Sequence, residues 1–102
     1  MGDPGAGGIV SPAELKARLD APRGQDPWNG GPRWPLRRHL SANHNGAGRS
    51  WFDFYASATD GHLRVLRAQA WDANTLDALA MIDWEAARRA AGVTEAEARS
   101  WL

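Results

Sequence analysis

All six prolines of this 102-residue chain lie before residue 36. Four of them, with three glycines, interrupt residues 21–35, so this stretch is predicted to be a long loop. Trp28 and Trp34 stand inside it. They can fold back onto the core as lids, or they can form an exposed aromatic binding surface. The first arrangement is the more common one, because apolar anchors are what usually order a long loop.

The N-terminal region contains one clear helix start. Residues 1–10 are rich in glycine, lack the apolar segment of a signal peptide, and are predicted to form a disordered tail. Ser11 can be the N-cap of a helix, Pro12 fits its first position, and Glu14 completes a capping box. We expect a short helix that ends before Pro22.

The middle of the chain carries a hairpin signal. The runs at 50–58 and 62–70 are strand-like, and the first is rich in aromatic residues. Between them stands Asp60-Gly61, and a two-residue Asp-Gly loop is the strongest short-range indication of a β-hairpin. We therefore expect two antiparallel strands joined by a turn at 59–62. Because a lone hairpin is not stable, a third strand at 36–42 or a layer of helices must cover it.

After the hairpin the apolar spacing becomes helical. Asp83 falls in the middle of the apolar face, where a lone buried carboxylate would be costly. We therefore expect two short helices, at 74–82 and 84–91, with Asp83 as the cap of the second. A functional Asp83, or one continuous and more exposed helix, are the alternatives. Gly92 suits the left-handed position after a helix end, and Thr94 can cap a last helix.

Together these elements predict one α+β domain over residues 11–102. It has a short N-terminal helix, a two- or three-stranded antiparallel sheet with a hairpin at 59–62, and two or three short C-terminal helices. The chain has no cysteine, which excludes disulfides and thiolate metal sites and favours the cytoplasm. No apolar run approaches the roughly 20 residues of a membrane span. Abundant arginine, alanine and glycine suggest a GC-rich coding sequence, and hence a bacterial or phage origin.

The C-terminal turn Ala91-Gly92-Val93-Thr94 resembles that of bacterial helix-turn-helix repressors, over residues 84–102. The small or apolar positions of that family are filled by Ala87, Ala91, Val93, Ala98 and Trp101. Arg88 departs from the pattern, since the family has a small residue four positions before the glycine. The resemblance implies that the second helix reads the major groove. Glu95 and Glu97 on that helix oppose phosphate contacts, so a purely structural helical hairpin is the favoured interpretation.

A basic and aromatic stretch spans residues 28–51, with no acidic residue between Asp26 and Asp53. Single-stranded nucleic acid could bind such a stretch by base stacking and phosphate contacts. An acidic protein surface could do so as well, because Trp and Arg are the favoured hot-spot residues of protein interfaces. The alternative that involves no partner is that the arginines keep the loop solvated and cover the tryptophans. The candidate contact residues are Trp28, Arg33, Trp34, Arg37, Arg38 and Arg49.

No catalytic motif stands out. His39 and His44 are five residues apart rather than the four of helical zinc pairs. The string from His39 to Asn45 resembles nucleases with a ββα unit, but residues 72–102 lack the histidine that would complete their metal site. There is no phosphate loop, dinucleotide fingerprint or nucleophile elbow. We therefore predict no enzyme activity, no cofactor and no metal site.

These observations predict a non-catalytic interaction or regulatory module, bacterial or phage-borne, that binds another macromolecule. A protein is the favoured partner, no membrane is involved, and a homodimer is a further option. The alternative is a nucleic-acid-binding protein. It would use the helix-turn-helix-like unit at 84–102 or the basic Trp/Arg loop at 28–51.

Overall fold

The computed structural model describes residues 9–28, 30–46 and 48–102, and every regular element within these ranges is an α-helix. The helices are α1 (Pro12–Arg18), α2 (Leu36–Ser41), α3 (Trp51–Ala56), α4 (Asp60–Asp72), α5 (Leu76–Ala90) and α6 (Glu95–Trp101). In the described part of the chain, β pairing is limited to two single-residue bridges, Gln25–Pro32 and Asn43–Ser50. The α+β prediction is therefore wrong, and the described residues form an all-helical fold.

The predicted hairpin at 59–62 is instead a helix start. The Thr59 hydroxyl accepts a hydrogen bond from the His62 amide at 3.1 Å, so Thr59 caps α4 and Asp60-Gly61 lies in its first turn. The aromatic run is also helical, because Ser50 and Asp53 form a complete capping box at the start of α3. The segment at 36–42, which was a possible third strand, is helical over Leu36–Ser41. Local capping thus outweighs the Asp-Gly turn signal.

The two helices expected at 74–82 and 84–91 are one continuous helix, α5. Asp83 does not break it, because its carboxylate points away from the core and accepts a hydrogen bond from Arg67 of α4 at 2.7 Å. More than half of the Asp83 side chain is exposed. The prediction that Asp83 caps a new helix is wrong. The helix is continuous, as in one alternative, but it is not the more exposed helix of that alternative, because most of the residues around Asp83 are buried.

Helix α5 is the centre of the molecule and packs against α1, α2, α3 and α4. Trp84 in its middle is almost fully buried, and its indole N–H donates to the Leu15 carbonyl at 2.9 Å. This bond satisfies the polar atom that a buried tryptophan brings into the core. The largest fully buried side chains around it are Leu15, Leu19, Leu40, Phe52 and Ile82.

The C-terminal end of α5 is joined to its neighbours by a buried ionic network. Glu85 is completely buried and accepts hydrogen bonds from Arg88 and Arg89 at 2.6–2.8 Å. Arg88 also donates to the Val93 carbonyl at 2.6 Å, across the turn between α5 and α6. Gly92 in that turn has the predicted left-handed conformation, with φ of +73°. Arg88 thus occupies the position where helix-turn-helix repressors carry a small residue, and it closes the turn through polar contacts.

The predicted N-terminal helix is confirmed. The Ser11 hydroxyl accepts from the Glu14 amide at 3.1 Å, and α1 ends before Pro22. Most of the tail predicted at 1–10 lies outside the described residues. Of its last two positions, Ile9 is exposed, whereas Val10 packs against the core.

Candidate functional site

The loop between α1 and α2 has a defined, hydrogen-bonded conformation. The Arg33 amide donates to the Gly24 carbonyl at 2.9 Å, and the Asp26 amide donates to the Gly31 carbonyl at 2.6 Å. The Asp26 carboxylate in turn accepts from the Trp28 amide at 2.8 Å. Gly24 has a φ of +76°, which side-chain-bearing residues rarely adopt. These bonds fix the loop backbone from both sides of its tip.

The two loop tryptophans stay out of the core. The Trp28 side chain is 94% exposed, so it does not act as a lid. Trp34 is 42% exposed, and the Arg38 guanidinium lies 3.7 Å from the centre of its ring. This distance is a cation–π contact in which both groups remain at the surface. The loop therefore presents aromatic rings outward.

Behind Trp34, three basic side chains surround one carboxylate of α5. Arg23 donates to Asp77 at 2.8 Å and to the Trp34 carbonyl at 2.8 Å. A nitrogen of Arg33 lies 3.7 Å from the same carboxylate, and the His39 Nε2 atom lies 3.6 Å from it. The Arg33 distance is that of an ion pair, the His39 distance would be one only with a protonated imidazole, and both are too long for hydrogen bonds. One carboxylate therefore faces two guanidinium groups and an imidazole.

Burial lowers the pKa of His39 below its ordinary value, and this is the largest influence on the imidazole. Asp77 acts in the opposite direction, while Arg23, Arg38 and Arg33 add to the lowering by charge repulsion. His39 is therefore neutral at pH 7.

Two adjoining cavities open on this surface. The smaller, of about 230 Å³, is lined by Asp26, Pro32, Arg33, Trp34, His39 and Asp77. The larger, of about 460 Å³, extends from Trp28 to the turn between α4 and α5, where Leu76 is 46% exposed. Because they share Arg33 and Asp77, the cavities form one continuous surface. We call it the tryptophan face and define it as Trp28, Arg33, Trp34, Arg38, His39, Leu76 and Asp77.

Two of the six candidate contact residues have internal partners instead. The Arg37 guanidinium bonds to Asp20 at 2.8 and 2.9 Å and also to the Trp101 carbonyl. The hydrogen bond from Arg37 lowers the pKa of the Asp20 carboxyl. Together the contacts of Arg37 connect α2 to the ends of α1 and α6. Arg49 donates to the Ser57 hydroxyl at 2.9 Å, next to the end of α3.

The other four candidates, Trp28, Arg33, Trp34 and Arg38, lie together on the tryptophan face. Arg23, Leu76 and Asp77 were missing from the candidate set, and His39 had been considered only as a metal ligand. A basic residue in the same proline-rich loop was a usable signal for Arg23. No sequence pattern near Asp77 indicates its role, because its partner Arg23 is 54 residues away in the sequence.

Helix α6, which corresponds to the recognition helix of the repressors, has an acidic surface. Glu95 and Glu97 are exposed in its first turn. Arg99 is already bound to Glu95 and to Asp53 of α3. The helix therefore offers DNA phosphates repulsion rather than contacts.

The three histidines lie in separate environments. His39 is beside Asp77, His44 stacks on Phe54 with ring centres 4.2 Å apart, and His62 is exposed in the first turn of α4. Within residues 9–28, 30–46 and 48–102, no three His, Cys, Asp or Glu side chains are placed to hold a metal ion. In the same residues, no helix has the length and apolar character needed to cross a bilayer.

Comparison with protein-family models, curated proteins and solved structures finds no match to this chain.

Proposed function

We propose that this chain is a non-catalytic protein-binding module whose contact surface is the tryptophan face. The observation that carries the proposal is the exposure of Trp28, at 94%, on a loop whose backbone is hydrogen-bonded on both sides. A tryptophan offers roughly 200 Å² of surface, and leaving it in water forgoes the hydrophobic stabilisation of burial. Such a residue is well suited to be covered by a partner.

The structure of the loop favours tight binding. Arg23 fixes the base of the loop by bonding to both the Trp34 carbonyl and Asp77. Because the rings are already positioned, a partner does not have to order the loop, and less entropy is lost on association. Arg33, Arg38 and Asp77 supply the polar surroundings that typically border apolar anchors in protein interfaces.

The charges favour a protein partner over nucleic acid. Binding to a phosphate backbone needs a series of cations that are free to contact it. Here Arg23 is bonded to Asp77 and Arg37 to Asp20, so only Arg33 and Arg38 of the four arginines at 23–38 keep donors for a partner. The absence of cysteine favours a cytoplasmic location, and the abundance of arginine, alanine and glycine favours a bacterial or phage origin.

Photo-cross-linking tests this proposal. A benzoylphenylalanine is placed at position 28 and, as a matched control, at position 71, since Trp71 is 66% exposed and lines neither cavity of the face. In cells of the source organism we expect one discrete cross-linked protein from position 28 and none from position 71. The purified partner should then bind Trp28→Ala at least about tenfold more weakly than Trp71→Ala.

Three results would contradict the proposal. The first is the same cross-linking pattern from both positions, and the second is no cross-link from position 28. The third is a product at twice the mass of the chain, which would assign the face to self-association rather than to a separate partner. Circular dichroism of each variant confirms that the helical fold is retained.

A further inference from the structure

The smaller cavity of the tryptophan face is the size of an amino-acid side chain. At about 230 Å³ it lies below the range of roughly 300–1,000 Å³ that is typical of small-molecule and cofactor sites. A glutamate or aspartate side chain fits such a space. The cavity is bounded by an aromatic ring, Trp34, and by the polar groups of Arg33, His39 and Asp77.

Arg33 has hydrogen-bonding capacity to spare. Only 17% of its side chain is exposed, yet its closest carboxylate contact, to Asp77, is 3.7 Å and so is not a hydrogen bond. Arg23 takes the short contact to Asp77 instead, at 2.8 Å. The guanidinium of Arg33 thus borders the cavity with donors that the described residues leave unused. Carboxylates commonly bind a guanidinium through two parallel hydrogen bonds.

The charged groups at the cavity are mixed, because Arg33, Asp26 and Asp77 line it together with the neutral His39. Arg23, which bonds to Asp77, and Arg38, which lies over the Trp34 ring, stand just outside the lining, and with them three guanidinium groups exceed two carboxylates by one charge. The charge of Asp77 is compensated by Arg23, and the Asp26 carboxylate accepts a hydrogen bond from the Trp28 amide. An added anion would therefore complete the balance rather than upset it.

From this geometry we infer that the cavity is a carboxylate subsite that receives a glutamate or aspartate side chain of the partner. The inference rests on the proposed function, because it names the chemistry of the segment that the tryptophan face binds. Arg33 donates to the carboxylate, Trp34 forms the apolar wall, and the adjoining cavity at Trp28 and Leu76 takes a neighbouring apolar residue. The partner segment is thus a short peptide in which acidic and apolar residues are adjacent.

His39 gives the site a pH signature. A carboxylate bound beside the imidazole favours its protonated form, so the pKa of His39 is higher in the complex than in the free chain. Binding therefore takes up a proton, and affinity rises as the pH falls from 7 towards 5, by less than about tenfold per pH unit. The charged groups that face His39 are Asp77, Arg23, Arg33 and Arg38.

The test uses synthetic peptides as probes. A peptide of alternating leucine and glutamate is compared with the same peptide carrying glutamine, by NMR of the Trp34 indole N–H and the His39 ring. We expect saturable shifts at both groups with the glutamate peptide only. Arg33→Gln should weaken binding at least about tenfold, whereas the control Arg64→Gln, on the exposed surface between α4 and α5, should not. His39→Gln should retain binding at pH 7 and lose its dependence on pH.

Four outcomes would overturn the carboxylate assignment. They are equal binding of the two peptides, unchanged binding by Arg33→Gln, tighter binding of inorganic phosphate than of the glutamate peptide, and preferential binding of a single-stranded oligonucleotide at the same residues. Cross-linking from position 28 without glutamate-peptide binding rejects the subsite alone. Peptide binding without any cross-linked partner rejects the proposed function alone.

Discussion

Two regions of this molecule combine carboxylates with arginines in opposite ways. At the C-terminal end of α5, Glu85 is wholly buried and bonded to Arg88 and Arg89 at 2.6–2.8 Å. At its N-terminal end, Asp77 is 38% exposed and has one short and two long contacts. The first network is closed, because backbone carbonyls take the remaining donors. The second is open, and a cavity lies where further acceptors would be.

The carbonyl contacts of Arg89 show how the closed network serves the fold. Its guanidinium donates to the carbonyls of Tyr55 and Ala58, at 2.9 and 2.7 Å, and also to Asp60. It thereby binds the end of α3 to the start of α4. Arg33 has no comparable carbonyl partner among the described residues. Arginines whose donors are all hydrogen-bonded within the chain thus hold helices together, whereas an arginine with unused donors is available for a partner.

The largest expected effect comes from opening the closed network. Glu85→Ala leaves two mostly buried guanidinium groups without their carboxylate, and should cost about 3–5 kcal/mol of unfolding free energy. The measurement is urea denaturation. The control is Asp83→Ala, which removes an exposed pair with Arg67 and should cost at most about 1 kcal/mol. Equal losses in the two variants would contradict a closed structural role for Glu85.

Asp77→Asn should affect stability and binding in opposite directions. It removes the charge that Arg23 and Arg33 share in a partly exposed site, so the expected loss of stability is about 1 kcal/mol. The same change leaves the cavity more positive, so the glutamate peptide should bind more tightly. Urea denaturation and peptide titration measure the two effects. Weaker peptide binding would refute the charge argument for the cavity.

A smaller effect concerns pH. Because the pKa of His39 is lowered by burial in the folded chain, the unfolded chain binds the proton more readily below about pH 6.5. The contribution of neutral His39 is fully present above that pH and is lost as the pH falls through the lowered, folded value. His39→Gln should therefore flatten the fall in stability between pH 6.5 and 5, as measured by thermal unfolding. An unchanged slope would remove His39 as its source.

The smallest effect on stability is expected for Trp28→Ala, which should change the unfolding free energy by no more than about 0.5 kcal/mol, because the ring packs on almost nothing. Trp84→Ala is the matched contrast, and should cost about 3–5 kcal/mol for the loss of a buried aromatic ring. Thermal or urea unfolding distinguishes them. A large loss for Trp28→Ala would mean that the loop serves the core rather than a partner.

Local chemistry predicted some elements well. The caps at Ser11 and Thr94 and the left-handed Gly92 depend on hydrogen bonds or torsions within a few residues, so they can be read from the sequence. The hairpin prediction is wrong because the pair Asp60-Gly61 is compatible both with a β-turn and with the first turn of a helix. Burial agrees with the helix caps at Ser50 and Thr59, because Phe52 and Tyr55, three residues apart, both face the core, which is a helical and not a strand spacing.

The candidate site was predictable only in part, for a related reason. Trp28, Arg33, Trp34 and Arg38 lie within one short stretch, so their composition identified them. The remaining residues depend on contacts between distant parts of the chain. Arg37 is bonded to Asp20 and to the Trp101 carbonyl, and the carboxylate that the loop arginines surround comes from Asp77 of α5. No sequence pattern distinguishes an arginine whose donors are filled by distant groups from one whose donors are free.

Hydrogen–deuterium exchange with and without the glutamate peptide tests the contrast between the open and closed regions most directly. Bound peptide is expected to slow amide exchange in residues 24–39 and at the start of α5, and to leave exchange in the turn between α5 and α6 unchanged. Protection confined to that turn and to α6, with none in the loop, would contradict this expectation.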